Sequence, residues 1–305
     1  MRQTHETRTR QRHCAANSHA NWSDDQGGRG DNMKQGIHKD ITNADYHAET
    51  GVNASFLKQW ITKSPFHAMH NQFNLAKHVA DVGTAVHSMA LEDELGNVLV
   101  SDEKSRATKA FKELDALAQA QGKVVLPRKD YDMVKGMVHG VEADYGEIVG
   151  GLMNDQHCGK LLQQKDKQVE HSYFVEHPST GLLLKCRPDI YSPKLRVMGD
   201  VKTAAQADPK NFGKAIFRLS YHIQAAHYLL CAKLLEVEVQ YFGFLAVEKE
   251  WPYPAHFHTL DTEALEYATG VVETALQEIA EAKETGKYDT RWGSFTMHNL
   301  PDYLD

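Results

Sequence analysis

The stretch from Leu182 to Lys202 reads LLLKCRPDIYSPKLRVMGDVK and decides which fold the chain can adopt. Successive side chains of a β-strand point to opposite faces, so Asp200 and Lys202 share one face of the strand that ends this stretch. An earlier strand ends near Asp189. If the two strands pair antiparallel, they bring Asp189, Asp200 and Lys202 together at one end of a sheet.

Those three side chains suit one kind of chemistry. Two neighbouring carboxylates repel each other, and a hard divalent cation such as magnesium or manganese relieves that repulsion. A lysine two residues after the second carboxylate can orient the attacking water or stabilise charge on a phosphoryl group. The pattern P-D-x(10)-D-x-K therefore predicts phosphodiester hydrolysis. On spacing alone, a surface hairpin in which Lys202 forms an ordinary ion pair fits as well.

The periodicity of the remaining chain predicts a three-layer α/β fold, in which a mixed sheet is flanked by helices and follows a helical N-terminal half. Helices are expected over 53–61, capped by Asn53 or Ser55, and over 75–94, 102–121 and 219–235. Another is expected from about Asp130, with Val141, Tyr145 and Ile148 on one face. Two more are expected to begin at Asp208-Pro209 and at Asp261. Strands are expected over 168–176, 182–191, 195–203, 237–247 and 253–258.

Composition limits the possible functions. The 305 residues include 34 Lys and Arg against 41 Asp and Glu, a formal charge of −7. This balance argues against a surface that is basic throughout, although it allows a local basic groove. The four cysteines form no C-x-x-C pair, so neither a zinc ribbon nor a cysteine-ligated cluster is indicated. No apolar run approaches the roughly 20 residues that span a bilayer, and we expect a cytoplasmic protein without a membrane segment.

The two ends of the chain differ from its centre. Residues 1–32 contain no Val, Ile, Leu, Phe or Tyr and cannot form a core, which predicts a disordered leader. We therefore expect one folded domain over 33–285, followed by a C-terminal tail over 286–305.

Pro188-Asp189 with Asp200-Val201-Lys202 resembles the signature of the PD-(D/E)XK nucleases. Further motifs are similar to the RecB-like branch of that superfamily and, over residues 40 to 260, most closely resemble the RecE-type (exonuclease VIII-type) exonucleases. They are Gln224-x-x-x-Tyr228, Gly83-Thr84-Ala85-Val86-His87, Tyr46-His47, Asn53-Ala54-Ser55-Phe56-Leu57 and Ser64-Pro65.

The resemblance implies roles for individual residues. Asp189, Asp200, the Val201 carbonyl and His87 would hold magnesium, with manganese as a possible substitute. Lys202 would be the catalytic lysine, assisted by Gln224 and Tyr228, which lie on one face of the next helix. Taken without the motif, His87 reads as a hydrogen-bonded core histidine. Gln224 and Tyr228 could equally bind the DNA backbone or support Lys202.

Basic and aromatic side chains near the signature are candidates for contact with DNA phosphates. They are Lys185, Arg187, Lys210, Lys214, Arg218 and Tyr221. The resemblance further implies 5′→3′ digestion of linear double-stranded DNA from an end, which leaves 3′ single-stranded overhangs. It also implies a ring-shaped homo-oligomer, a tetramer by resemblance, and a RecT-type single-strand annealing protein as partner, in a bacterial or phage-encoded recombination system.

Two alternatives stay open. One is a RecB-like endonuclease or a nuclease of the CRISPR-adaptation type, although the latter usually carries a cysteine cluster that this chain lacks. The other is a catalytically silent DNA-binding module on the same fold, against which the presence of all three signature side chains argues.

Overall fold

The structure, a computed structural model, describes residues 34–39, 41–70, 76–92, 97–144 and 146–293. Its helices are α1 (Asn43–Ala48), α2 (Ala54–Thr62), α3 (Pro65–His70), α4 (Lys77–Leu91), α5 (Lys109–Ala120), α6 (Arg128–His139), α7 (Gln156–Leu162), α8 (Pro209–Arg218), α9 (Tyr221–Leu234) and α10 (Thr262–Thr285). Its strands are β1 (Gly36–His38), β2 (Val98–Ser101), β3 (Val124–Pro127), β4 (Val141–Glu142), β5 (Ile148–Val149), β6 (Gln168–Val169), β7 (Ser172–Glu176), β8 (Leu183–Cys186), β9 (Ile190–Ser192), β10 (Val197–Ala204), β11 (Tyr241–Glu248) and β12 (Ala255–Thr259).

The central sheet has five strands in the order β12-β11-β10-β9-β6. Strand β10 runs parallel to β11, with Asp200 opposite Phe244. The other pairings are antiparallel, and in one of them Gly199 of β10 lies opposite Ile190 of β9. This arrangement confirms the predicted mixed sheet and sets the C-terminal half of β10 beside the residue that precedes β9.

Helices cover both faces of this sheet. Met198 and Phe244 point into a core shared with α2, α8, α9 and α10. Val201, three positions after Met198, and Leu245, one position after Phe244, point into a second core built with α4, α6 and α7. The alternation of side chains along β10 and β11 thus supplies two apolar faces, and the predicted three-layer fold with a helical N-terminal half is confirmed.

Most of the predicted helices are present, but two predictions needed correction. Helix α5 begins at Lys109, behind the N-cap Thr108, rather than at 102. Helix α6 ends at His139 because Gly140 adopts φ +79°, a left-handed conformation that stops the helix. The proposed helical face through Val141 and Ile148 was therefore wrong: both residues belong to the antiparallel pair β4–β5. Tyr145 lies outside the described residues.

Two predicted strands are each divided between two sheets. The stretch 168–176 breaks at Glu170, whose φ is +49°, so β6 joins the central sheet and β7 does not. The stretch 182–191 breaks at Arg187-Pro188-Asp189 into β8 and β9 in the same way. The hairpin through the 178–181 turn exists as the antiparallel pair β7–β8, and β1 extends it to three strands.

Two parts of the domain prediction could not be compared with the structure. The leader 1–32 and the tail beyond residue 293 lie outside the described residues, so the bounds 33–285 stay a prediction. Among the described helices, none is long and apolar enough to cross a bilayer.

Candidate active site

Asp189 directly precedes β9 and Asp200 lies in the middle of β10, so the two carboxylates come together where these strands pair. Both are buried, with exposed fractions of 9% and 4%. The Val201 amide donates a hydrogen bond of 2.7 Å to Asp189 Oδ2, which fixes one carboxylate against the backbone beside the other. Burial and the charge of Asp200 raise the pKa of Asp189 to about 7. The predicted juxtaposition of two repelling carboxylates is therefore present.

Lys202 supplies the positive charge of the cluster. Its Nζ forms an ion pair with Asp200 Oδ2, and the two side chains are only 18% and 6% exposed. Burial acts to lower the pKa of Lys202, but the charges of Asp200 and Asp189 outweigh burial and raise it. The lysine is thus an ammonium group, and the ion pair lies inside the protein rather than on a surface hairpin.

Gln224 ties the cluster to α9. Its Nε2 donates to Asp200 Oδ1, and its Oε1 lies 3.4 Å from Lys202 Nζ. The ring of Tyr221 lies beneath the same ammonium, 4.8 Å from Nζ to the ring centroid. Tyr228 lines a cavity of about 190 Å³ together with Asp189 and Arg187. The structure therefore brings Gln224 into contact with the signature residues and leaves Tyr228 beside them.

His87 reaches the site from the opposite face of the sheet. Its Nε2 lies 3.0 Å from the Val201 carbonyl oxygen, and its Nδ1 lies 3.4 Å from Asp189 Oδ2. Its neighbours Val86 and Ala90 on α4 are packed in the second core, which holds the helix against the sheet at this point. The imidazole of His87 thus contacts the Val201 carbonyl and Asp189, two of the predicted metal ligands.

The donor set fits a hard divalent cation. It comprises two buried carboxylates, one of them with a strongly raised pKa, and a backbone carbonyl, all of which are oxygen donors. In the described part of the chain, no three His, Cys, Asp or Glu side chains are grouped so that they could hold a metal ion by themselves. A cation here would keep positions for water and substrate oxygens, as magnesium commonly does.

The structure contradicts Lys185 as a DNA contact. The side chain is 1% exposed, and its Nζ donates to the carbonyl oxygens of Tyr46 and Glu49 at 2.9 and 2.6 Å. Strand alternation was misleading here because β8 is covered on both faces. Arg187 is partly buried and donates to the Ile41 and Glu170 carbonyl oxygens, so it braces the loop before Asp189.

The other predicted DNA contacts are better exposed. Lys210, Lys214 and Arg218 lie on the solvent side of α8, whose other side buries Phe212 and Ile216. No acidic residue occurs within α8. Tyr221 is partly buried next to Lys202, and its ring lies 6.2 Å from that of Phe212. The basic face ends at Arg218, three residues before Tyr221, and therefore leads toward the cluster.

Sequence reasoning missed two residues at this site. Lys58 of α2 donates from Nζ to Gln224 Oε1 at 3.0 Å, across 166 positions of sequence. Glu170 lines the cavity that contains Asp189, and its amide donates to the Asp189 carbonyl oxygen at 3.2 Å. No spacing rule identifies either residue, although Lys58 directly follows the Asn53–Leu57 motif and is the only basic residue of α2.

Comparison with solved structures supports the fold. A protein from Eubacterium rectale that its crystal structure names "Putative exonuclease" aligns with a TM-score of 0.56 at 14% identity, covering 87% of this chain and 97% of its own. SSO0001 aligns at 12% identity over 72% of this chain and 91% of its own, with a TM-score of 0.27 that is too low to support an argument. No curated protein matches the chain.

A family match covers most of the domain and includes every residue of the cluster. Residues 53–297 match the family described as a PDDEXK-like domain of unknown function, DUF3799. Together with the fold of the Eubacterium rectale protein, this match supports a nuclease of the PD-(D/E)XK superfamily. The buried cluster of Asp189, Asp200 and Lys202 is the arrangement that the superfamily's name describes, and the chain belongs to the DUF3799 family of PDDEXK-like domains.

Proposed function

We propose that the protein is a magnesium-dependent DNA exonuclease of the RecE type, which digests linear double-stranded DNA 5′→3′ and leaves 3′ overhangs. The observation that carries the proposal is the convergence of Asp189, Asp200, Lys202 and Gln224 in one buried cluster at the sheet. Polarity and end-dependence come from the resemblance to RecE-type enzymes, and the name "Putative exonuclease" of the Eubacterium rectale protein agrees with end-dependence only.

Each side chain of the cluster has a separate role in the proposed hydrolysis. Asp189, Asp200 and the Val201 carbonyl would hold magnesium, which would supply Lewis-acid stabilisation of the charge that develops on the phosphoryl oxygens. Lys202 donates a hydrogen bond to the attacking water or to a phosphate oxygen. Gln224 holds the Asp200 carboxylate and Lys202 in fixed positions, and His87 holds the Val201 carbonyl and Asp189. Manganese is a plausible substitute because an imidazole is present.

DNA would reach the cluster over α8. Lys210, Lys214 and Arg218 on its exposed side can contact phosphates without reading sequence, and the lack of acidic residues in α8 makes this face locally basic. The overall charge of −7 is compatible with such a face, because an acidic exterior elsewhere limits unproductive binding.

Assembly and partners follow from the resemblance alone. We propose a ring-shaped homo-oligomer, a tetramer by analogy, that passes its 3′ overhang to a RecT-type annealing protein in the cytoplasm of a bacterium. The molar mass in solution and co-purification with an annealing protein test these two proposals directly.

The decisive experiment is digestion of linear duplex labelled at either the 5′ or the 3′ end, with closed circular DNA in parallel and with or without magnesium. We expect magnesium-dependent release of 5′ nucleotides and intact circles. Asp200→Asn and Lys202→Met should each reduce the rate at least about 100-fold. Lys63→Met, which changes an exposed lysine at the end of α2, is the matched control and should cleave normally.

Each other outcome selects a different function. Cutting of closed circles supports the RecB-like endonuclease. Full activity in Lys202→Met would exclude the proposed chemistry. DNA binding without cleavage in either metal would support the silent module.

A further inference from the structure

Lys58 is a second lysine of the cluster, and it comes from a different layer of the fold. Helix α2 buries Phe56, Leu57 and Trp60 in the core, and Lys58 projects between them and solvent, partly buried. Its Nζ donates to Gln224 Oε1 at 3.0 Å and lies 5.0 Å from the centroid of the Tyr221 ring. The same amide oxygen and the same ring contact Lys202.

The charges of the two lysines are compensated differently. Lys202 forms an ion pair with Asp200, whereas Lys58 forms no ion pair with any carboxylate in the described part of the chain. Burial, and after it the charge of Lys202, lower the pKa of Lys58 to about 7. The charge of Asp200 acts in the opposite direction but by less. An ammonium group at Lys58, whose direct contacts are the Gln224 amide oxygen and the Tyr221 ring, is therefore costly, and an anion would relieve that cost.

We propose that Lys58, with Tyr221 and Gln224 beneath it, forms a phosphate-binding subsite that holds a phosphodiester of the DNA strand being cut. The proposal rests on the proposed nuclease function and adds to it a binding site for one particular phosphate. Lys58 and Lys202 are both within 3.4 Å of one amide oxygen, so the anion held by Lys58 is the reacting phosphate or the phosphate next to it.

The chemistry of the subsite matches a phosphodiester. An ammonium group donates strong, charge-assisted hydrogen bonds to the non-bridging oxygens of a phosphate. The Tyr221 ring faces both ammonium groups and offers a flat apolar surface beside the phosphate path. Arg218 ends α8 only three residues before Tyr221, so the subsite continues the proposed DNA path along the basic side of α8.

A structural role is the competing explanation. Lys58 could simply hold the Gln224 amide in place, and its loss would then reduce turnover without touching DNA affinity. The two roles differ in what they do to substrate binding, and DNA affinity measured in calcium, without cleavage, separates them.

The test combines a residue change with a change in the DNA. Lys58→Met keeps the length of the side chain and removes its charge, Lys58→Arg keeps the charge, and Lys63→Met, at the exposed residue directly after α2, is the matched control. Each variant is measured on duplexes in which one backbone phosphate near the cleaved bond is replaced by an uncharged methylphosphonate. DNA affinity in calcium, and kcat and KM in magnesium, are the readouts.

We expect Lys58→Met to weaken DNA binding about 10- to 100-fold, and Lys58→Arg to recover most of that loss. One methylphosphonate position should weaken binding to the wild type equally and cost Lys58→Met nothing further, because both changes remove the same contact. If the losses of affinity from Lys58→Met and from the methylphosphonate multiply at every phosphate position, the proposal is overturned. Unchanged DNA affinity with a reduced kcat in Lys58→Met would also overturn it.

Failure of this proposal is distinguishable from failure of the nuclease assignment. If the wild type cleaves and Lys202→Met does not, while Lys58→Met binds and cleaves normally, only the subsite is wrong. If the wild type cleaves no DNA with either metal, the proposed function is wrong. Melting curves accompany each variant, and if Lys58→Met does not fold, Lys58→Gln takes its place in the same series.

Discussion

Asp189 is a residue whose charge depends strongly on its surroundings. It is buried beside Asp200, it accepts a hydrogen bond from the Val201 amide, and His87 lies 3.4 Å from its Oδ2. Burial and Asp200 raise its pKa, while His87 and Lys202 lower it by less. The cluster therefore stores electrostatic repulsion that a bound cation would relieve, and this is the physical basis of the proposed metal dependence.

This raised pKa predicts a pH-dependent stability in protein treated with a chelator. Between pH about 4 and about 7, Asp189 keeps a proton in the folded chain that it loses in the unfolded chain. Its contribution is therefore fully present below pH 4 and is lost as pH rises through 7, on the order of 4 kcal/mol in total for a pKa raised from 3.8 to about 7. Asp189→Asn should remove this part of the pH dependence in denaturant titrations across that range. Identical curves for wild type and variant would contradict the prediction.

Strand β10 is the element that serves both layers. Asp200 and Lys202 face α9, where Gln224 contacts both and Tyr221 contacts Lys202, and Lys58 of α2 contacts Gln224 and Tyr221 in turn. Val201 faces the core that contains α4. One strand can supply both sets of contacts because its side chains alternate. Helix α2 matters as much, since it carries Lys58 from the N-terminal part of the chain into the cluster.

The position of α2 depends on its N-cap, and the structure assigns that role to Asn53 rather than Ser55. Asn53 Oδ1 accepts a hydrogen bond of 2.8 Å from the Phe56 amide, and Ser55 is exposed inside the first turn. Asn53→Ala should lower the free energy of unfolding by about 1 kcal/mol, or roughly 2–4 °C in Tm. Ser55→Ala is the control and should leave Tm unchanged. An equal loss in Ser55→Ala would mean that the cap is misassigned.

On the scale of the whole molecule, the site is a junction of three layers. The sheet supplies Asp200, Val201 and Lys202, one helical layer supplies Lys58 and Gln224, and the other supplies His87. A ligand that neutralises the carboxylates should therefore stabilise the entire domain rather than one loop, because it binds only where the layers meet.

Magnesium should accordingly raise the thermal stability of the wild type. At a concentration about 100 times its dissociation constant, a ligand that binds only the folded state adds about 2.7 kcal/mol, or roughly 5–10 °C in Tm. Asp200→Asn should lose most of this shift, whereas Lys63→Met should keep it. Calorimetric melting with and without magnesium is the measurement. If neither magnesium nor manganese changes the Tm of the wild type, that result would count against a metal at this site.

The sequence by itself determined the residue types of the signature, and the alternation of side chains along a strand predicted that Asp200 and Lys202 share one face. The spacing from Asp189 to Asp200 and Lys202, with the strand period of two, was enough to predict their meeting, and the motif on α9 was enough to add Gln224. Periodicity also identified most helices. These features depend on neighbours in sequence, which local geometry constrains directly.

Only the tertiary structure decided which lysines belong to the site. Lys185, beside the signature in sequence, is buried by α1 and donates to its backbone carbonyls, whereas Lys58 reaches Gln224 across 166 positions. The breaks at Glu170 and Arg187-Pro188-Asp189, which divide the predicted strands between two sheets, were equally invisible in the pattern. Burial and contact between distant segments depend on how the layers pack, and no short-range period encodes that packing.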